Sequence, residues 1–543
     1  MERHFQCKFP VGIPANIEPL EYETLPLFFE DCFRRFSDES ALSCGENTLT
    51  YRQLDQLSRR FAAFLQQSDY IIKGDRLAIM LPNSWQYVIA LIGALRAGLV
   101  VVNLNPHFTP REIFHHLSDS QAVGIVTLNK YHELLSGDQK LPEGFFSIYT
   151  HEEDRAAITS SHDTKTINNK IGIDFISALS SESPEQYHSQ EVHGNDIAFL
   201  QYTGGTTGMA KGAMLSHRNL VANVAQAQAM FNPLLRIGEE KIITALPLYH
   251  IFALTVNLLF FMSMGAKNLL ITDPQNIAGL LRNMEEEKFS AISGVNTLYR
   301  ILLQNEKFKS IDFSNLRFCV SAGMPLTPEV AQAWLDITKQ PIWIGYGLTE
   351  TSPLVSVQPY TTKEYYPHAG MPAPSTEIRM VDELGKDVPT GEQGELLVKG
   401  PQVMLGYWNN PIETAAALKD GWLFTGDIAR CDEQGYIHIV GRKKEMILVS
   451  GFNVYPAEIE AVVSVHPKVR EAAVIGIPDE NSGEAVKLFI VKKDDSLTSD
   501  EIKEHCRRLL TGYKNPKWVV FIDSLPKSAV GKVLRNKLRE DLQ

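Results

Sequence analysis

A loop able to cradle a polyphosphate is spelled by Tyr202-Thr203-Gly204-Gly205-Thr206-Thr207-Gly208-Met209-Ala210-Lys211-Gly212. Its glycines let successive backbone N–H groups turn inward, its threonines add hydroxyl donors, and Lys211 adds a positive charge. It is not a Walker A motif, because Gly212 and Ala213 follow Lys211 where Ser or Thr would be required, and an extended run follows rather than a helix. So many hydroxyls beside one lysine argue against a plain surface turn. A second cluster is Gly345-Tyr346-Gly347-Leu348-Thr349-Glu350. Its glycines leave an aromatic ring open for stacking, Thr349 offers a hydroxyl, and Glu350 offers a hard oxygen that suits Mg2+. A strand end with a capping Thr and a solvated Glu would read the same way.

Two further segments offer single charges. Gly421-Trp422-Leu423-Phe424-Thr425-Gly426-Asp427 presents one carboxylate that could accept hydrogen bonds from two ribose hydroxyls, although Asp in a Gly-flanked turn also fits a purely structural role. In Leu525-Pro526-Lys527-Ser528-Ala529-Val530-Gly531-Lys532, the last lysine follows a glycine in a Pro-bounded loop, from which an ammonium could reach a neighbouring site. A solvated lysine near a chain end is the plainer alternative. Asp523-Ser524-Leu525 matches the tripeptide that carries phosphopantetheine in carrier proteins, but too little chain follows it and Pro526 comes at once.

These segments need a scaffold that holds them together. Short apolar runs alternate with amphipathic ones: Arg76 to Leu81 precedes Trp85 to Ala97, and Gly98 to Asn103 precedes Arg111 to Ser118, which predicts α/β layers with largely parallel sheets. At 543 residues the chain exceeds what one core serves, so a large body plus a further domain is expected. The boundary falls near Gly441-Arg442-Lys443-Lys444, between strand-like Tyr436 to Val440 and Met446 to Val449. Beyond it, helical Ala457 to Ser464, extended Glu471 to Ile477 and Ala485 to Val491, and helical Ser499 to Leu510 predict a small α+β domain. The division is therefore 1–440, a linker at 441–444, and 445–543.

Charge and cysteines narrow the classes. The net charge of −12 argues against nonspecific nucleic-acid binding, and it is uneven: 18 basic and 15 acidic residues lie in 441–543, net +3, leaving −15 for 1–440. The six cysteines (Cys7, Cys32, Cys44, Cys319, Cys431, Cys506) show neither a CxxC pair nor zinc-site spacing, so a reduced cytoplasmic setting is expected. Met1 to Pro10 lacks the apolar stretch of a secretory signal. The most apolar runs, Tyr87 to Leu104 and Leu254 to Met264, are interrupted by Arg96 and Asn257, short of the roughly 20 apolar residues of a bilayer span. Any membrane contact is expected to be peripheral.

Taken in order, the phosphate loop, Gly-Tyr-Gly-Leu-Thr-Glu, Thr-Gly-Asp, Gly-Arg-Lys-Lys and a late Gly-Lys resemble the adenylate-forming superfamily of acyl-CoA synthetases, firefly-type luciferases and peptide-synthetase adenylation domains. Within it, Leu246-Pro247-Leu248-Tyr249-His250-Ile251-Phe252, Gly294-Val295-Asn296-Thr297-Leu298 and Val449-Ser450-Gly451-Phe452-Asn453-Val454-Tyr455-Pro456 are similar to bacterial long-chain fatty acyl-CoA ligases, and the resemblance spans essentially the whole chain. It implies a large body of layered sheets with helices and a small, mobile C-terminal domain. It also implies that Tyr202 and Thr203 to Lys211 hold the phosphates of ATP, with Thr203 and Glu350 at Mg2+. Adenine would lie by Ala322, Gly323, Tyr346 and Gly347, Thr349 would stand at the α-phosphate, and Asp427 and Arg442 would hold the ribose. Lys532 would be the catalytic lysine of adenylation and Lys444 the hinge, while Gly451, Phe452 and Asn453 would face coenzyme A.

On its apolar background His250 reads first as a satisfied core histidine, and second, by the same resemblance, as a gating or orienting group near the acyl carbonyl and thiol path. The implied activity joins a long-chain fatty acid to coenzyme A at the expense of ATP, feeding β-oxidation, with possible inner-membrane contact and a possible homodimer. Delivery to a carrier protein, oxidation of the adenylate, and medium-chain preference are the alternatives.

Overall fold

The computed structural model describes residues 9–45, 47–67, 71–136, 141, 145–151, 172–203, 210–480, 482–528 and 531–540. Strand–helix alternation takes the form expected. Arg76–Met80 and Val100–Asn103 pair in parallel, and their mostly buried side chains are those of strands covered on both faces. Between them runs the helix Trp85–Arg96, every residue of it buried. Polar caps set the helix starts: Ser84 accepts from the Tyr87 N–H, and Thr109, ahead of Pro110 at the first position, forms a capping box with Glu112.

Among the described residues the body has two large sheets. One has eight strands and includes the two that flank the glycine-rich segment, Ile197–Thr203 and Lys211–Ser216. The other has nine and includes Phe318–Ser321 and Trp343–Gly347. Both are parallel in the middle; the nine-stranded sheet is antiparallel at both ends, the eight-stranded one at one end only, its other edge strand Gly172–Asp174 pairing in parallel. A third, five-stranded sheet is antiparallel throughout and holds Trp422–Cys431 and Ile437–Arg442, so the expectation of largely parallel sheets covers the two large layers only. The body's last strand runs through Arg442, and a single 3-10 turn, Lys443–Glu445, follows. The C-terminal segment builds its own five-stranded sheet with helices Pro456–Ser464 and Ser499–Leu509, and has its own apolar core around Val474, Leu488 and Ile502.

The two polar interruptions of apolar runs are built into the core. Fully buried Arg96 is paired with Glu30 at 2.8 Å and Asp55 at 2.5 Å, and its guanidinium lies over the Phe33 ring. Asn257 sits in a π-helix, Ala253–Phe260, where its Nδ2 donates to Thr244 Oγ1 at 3.0 Å and its Oδ1 accepts from Ser293 at 2.6 Å. Among the described residues no helix is long and apolar enough to cross a membrane. Cys32, Cys44, Cys319, Cys431 and Cys506 are buried free thiols.

Candidate active site

Asp427 and Arg442 occupy facing positions on adjacent antiparallel strands, which is why residues so far from each other's sequence neighbourhood meet. Arg442 Nε donates to Asp427 Oδ1 at 2.7 Å, and the Tyr346 hydroxyl donates to Oδ2. Asp427 is 3% exposed. Burial raises its pKa, opposed by the attraction of Arg442 and the Tyr346 hydrogen bond. Burial works most strongly against the Arg442 charge, but the attractions of Asp427, Tyr346, Glu350 and Glu445 together outweigh it and raise the guanidinium above its usual value. Burial, reinforced by Asp427, raises the Tyr346 phenol, so it stays a donor. A carboxylate has about four lone-pair sites, so two remain for an incoming hydroxyl pair.

Tyr346 and Gly347 end the strand Trp343–Gly347, beside the end of Phe318–Ser321 and its successors Ala322 and Gly323. A Cβ on Gly345 would touch that of Ala322 at 3.6 Å, so these residues form adjoining walls. Gly347 is required sterically, because a Cβ there would lie 2.0 Å from the Pro353 carbonyl oxygen. The chain then turns through Thr349–Thr351 and presents Glu350, whose Oε1 accepts from the Tyr407 hydroxyl at 2.7 Å.

Lys211 opens its strand with its ammonium on Glu413 and 5.2 Å above the Tyr407 ring. Thr203 faces Lys211 across the hairpin. Tyr202 turns to the other side: its hydroxyl donates to Asp119 at 2.6 Å and its ring packs edge-on against His116. Gly204, Gly205, Thr206, Thr207 and Gly208 lie outside the described residues.

The C-terminal domain brings Lys532 to this cleft. Its backbone is tied to Ser528, the Lys532 N–H donating to Ser528 Oγ at 3.2 Å and the Ser528 N–H donating to the Lys532 carbonyl at 2.8 Å. Gly531, at φ +78°, presses so closely on the body that a Cβ would lie 3.1 Å from Thr297 Oγ1. Lys532 keeps exposed surface, yet its ammonium stands in a crowded cleft, and desolvation followed by repulsion from Arg442 lowers its pKa, against the pull of Glu445 and Asp427. The same ammonium acts on His250, whose pKa burial first and Lys532 second push down to about 4. His250 is therefore a neutral imidazole at pH 7, with Nδ1 accepting the Phe252 N–H at 3.3 Å.

A second tie crosses the domains: Arg300 bonds Glu471 at 2.5 Å and the Arg470 carbonyl at 3.0 Å, and Lys527 joins Glu471 at 2.7 Å. Burial works against the Glu471 carboxylate, but the hydrogen bonds from Lys527 and Arg300 outweigh it and lower its pKa.

Tyr346, Asp427, Arg442, His250 and Lys532 thus share one cleft, with Glu350 and Lys211 beside it and joined through Tyr407. Gly451 to Asn453 stand apart, exposed at a hairpin turn on the small domain, with Phe452 stacked on Tyr513 at 4.5 Å. Lys444 is exposed in the 3-10 turn. Sequence reasoning missed Tyr407, Glu413, Arg300 and Glu471. A Tyr after Gly406 and a Glu two residues after Pro411 were the available signals for the first two.

Comparison with known proteins gives the class. The AMP-binding enzyme family matches residues 29–408, and the AMP-binding enzyme C-terminal domain matches 458–532. The chain belongs to the AMP-binding enzyme family. Within it, the chain is 50% identical to a long-chain-fatty-acid–CoA ligase of Yersinia pestis over 100% of this chain and 98% of that one. It is 44% identical to a ligase of the same description from Haemophilus influenzae, over 100% and 99%. Among solved structures it is similar to the anthranilate CoA ligase AuaEII in complex with anthranoyl-AMP (TM-score 0.83, 26% identity, 97% and 98% covered). ATP-bound MatB from Rhodopseudomonas palustris is also similar (TM-score 0.80, 28% identity, 97% and 99% covered).

Proposed function

We propose that this chain activates a long-chain fatty acid with ATP and Mg2+ as an acyl-adenylate and then transfers the acyl group to coenzyme A. The observation that carries the reading is the seating of Lys532 in the cleft formed by Asp427, Arg442 and His250. The paired presence of Lys532 and Arg442 suits a triphosphate meeting a carboxylate. The long-chain-fatty-acid–CoA ligases similar to it over its whole length support the substrate class.

The residue roles in this reading are those the resemblance implies. Thr203 to Lys211 hold the phosphates, Ala322, Gly323, Tyr346 and Gly347 bound the adenine, and Asp427 and Arg442 hold the ribose. Thr349 stands at the α-phosphate. The donor set fits Mg2+: Glu350 offers a hard oxygen, and among the described residues Tyr407 takes Oε1 while none takes Oε2. Among the described residues no group of three or more His, Cys, Asp or Glu could hold a metal alone, and a Mg2+ shared with phosphates needs only one or two carboxylates. Glu350 and Thr203 would hold the ion, which supplies charge neutralisation on the phosphoryl oxygens.

In the first step a carboxylate oxygen of the fatty acid attacks the α-phosphorus, the bond to the bridging oxygen breaks, and pyrophosphate leaves. Lys532 donates hydrogen bonds where negative charge gathers, and Arg442 keeps the Asp427 charge neutralised. Neutral His250 shapes the carbonyl side without adding charge. In the second step the coenzyme A sulfur attacks the acyl carbonyl and AMP leaves. The thiol needs room that Lys532 occupies in this arrangement, so residues 445–543 turn on the 441–444 linker at Lys444 and bring Gly451, Phe452 and Asn453 round to coenzyme A.

Palmitate with ATP, Mg2+ and coenzyme A is expected to give palmitoyl-CoA, AMP and pyrophosphate. Accumulation of adenylate without thioester would contradict the reading, and a profile from C6 to C18 acids reads chain preference directly. The reading extends to a cytoplasmic enzyme touching the inner membrane peripherally, supported by the bilayer partitioning of its substrate, and to a homodimer feeding β-oxidation, both carried by the resemblance. Co-flotation with vesicles and light scattering test the first two.

A further inference from the structure

Glu350 does not orient itself. Its carboxylate is half-buried on a three-residue turn, and the group that fixes it is the hydroxyl of Tyr407, 57 residues later in the chain. Tyr407 is itself locked. Its strand, Gly406–Tyr407, pairs with Lys211–Ser216 through facing positions Gly406 and Met214, and Tyr407 and Ala213. Its N–H donates to Thr414 Oγ1 at 2.8 Å, and the Thr414 hydroxyl donates to the Asn410 carbonyl at 2.8 Å. Asn410 in turn caps the helix Pro411–Ala417 by accepting from the Glu413 N–H. The backbone answers from the other side, where the Met404 N–H donates to the Glu350 carbonyl at 2.9 Å. The Tyr407 ring also underlies Lys211.

We propose that Tyr407 is a positioning residue for divalent-metal binding: its hydroxyl occupies Glu350 Oε1 and turns Oε2 toward the nucleotide's phosphates, with Thr414 holding Tyr407 in place. This rests on the reading of Glu350 as a metal ligand. A hydrogen-bonded partner restricts a ligating carboxylate to one rotamer, and its removal typically weakens metal binding about 10–100-fold.

The test is calorimetric titration of the full chain with α,β-methylene-ATP, with and without Mg2+ and without fatty acid, so that nothing turns over. Tyr407→Phe is expected to reduce the Mg2+-dependent gain in affinity about 10-fold while metal-free affinity stays within about twofold. Thr414→Val is expected to move the same quantity by a smaller factor, and Glu350→Gln to abolish it. If Glu350→Gln abolishes the gain and Tyr407→Phe leaves it intact, the positioning role is overturned and the metal reading stands. If neither changes it, both are overturned. Equal weakening with and without Mg2+ in Tyr407→Phe would reveal a merely structural contact and overturn the proposal as well.

Discussion

Asp427 and Lys532 bring opposite charges to one cleft and are held in opposite ways. Asp427 is buried in the middle of a strand, and its cross-strand neighbour Arg442 and Tyr346 of another sheet take both of its oxygens. Lys532 keeps exposed surface, and among the described residues it makes no ion pair; its bonds to Ser528 and the seat of Gly531 beside Thr297, where a Cβ would lie 3.1 Å from Oγ1, hold it there. A group needed throughout both steps is best fixed in a sheet, and one needed in a single step is best carried on a part that can leave. On the proposed reading, the contrast suits Asp427 to nucleotide binding in both halves of the reaction and Lys532 to the first alone.

Removing Lys532 should give the largest effect. Lys532→Ala is expected to slow palmitate-dependent ATP–pyrophosphate exchange at least about 100-fold, the scale of losing a transition-state charge partner. Asp427→Ala comes next and should blur the contrast, because it leaves Arg442 and Tyr346 unpaired. Both half-reactions should fall together, and denaturant unfolding should show a loss of about 1–3 kcal/mol, less than for a fully buried pair because Arg442 is partly exposed. Effects confined to one half-reaction would break the comparison. Gly531→Val adds a Cβ against Thr297 at a left-handed φ, and should cut adenylation about 10-fold by unseating the loop without touching the body's nucleotide affinity.

The pH profile sharpens the same point. The active form of Lys532 is protonated and its pKa is lowered, so adenylation should be full below that pKa and be lost as pH rises through it, on the alkaline side but before an ordinary lysine titrates. Because His250 is pushed down to about 4, it should contribute no acid limb until near that pH. Rates of the first half-reaction from pH 5 to 10 read both. Arg300→Ala should have the smallest effect: releasing Glu471 from the body should slow adenylation about threefold and leave the thioester step unchanged or faster, as expected of a single half-buried ion pair whose carboxylate keeps Lys527 as a second partner.

Much of this arrangement was legible in the sequence, where local rules suffice. Alternating runs at Arg76 to Leu81 and Trp85 to Ala97 became strand and helix within about a residue, because burial between layers and an N-capping serine reinforce the same local choice. Glycine-framed motifs marked Tyr346, Asp427 and Lys532 as candidates. Which of them touch depends on strand register and layer packing. The Tyr346–Asp427 contact joins positions 81 apart on different sheets, and Tyr407 reaches Glu350 only because a two-residue strand pairs with the exit of the phosphate loop. The Arg300–Glu471 tie joins the body to the C-terminal domain, a pairing no local pattern encodes. Tyr202 shows the converse: its place in the phosphate-loop motif is plain, but the alternation of strand side chains turns it to Asp119.

The most direct test supplies palmitoyl-adenylate and coenzyme A to the Lys532→Ala chain and follows palmitoyl-CoA in a single turnover. The account predicts a rate within about threefold of the unaltered chain, the ammonium having no part in the second step. A fall as deep as that in pyrophosphate exchange would contradict it, and would place Lys532 in both steps.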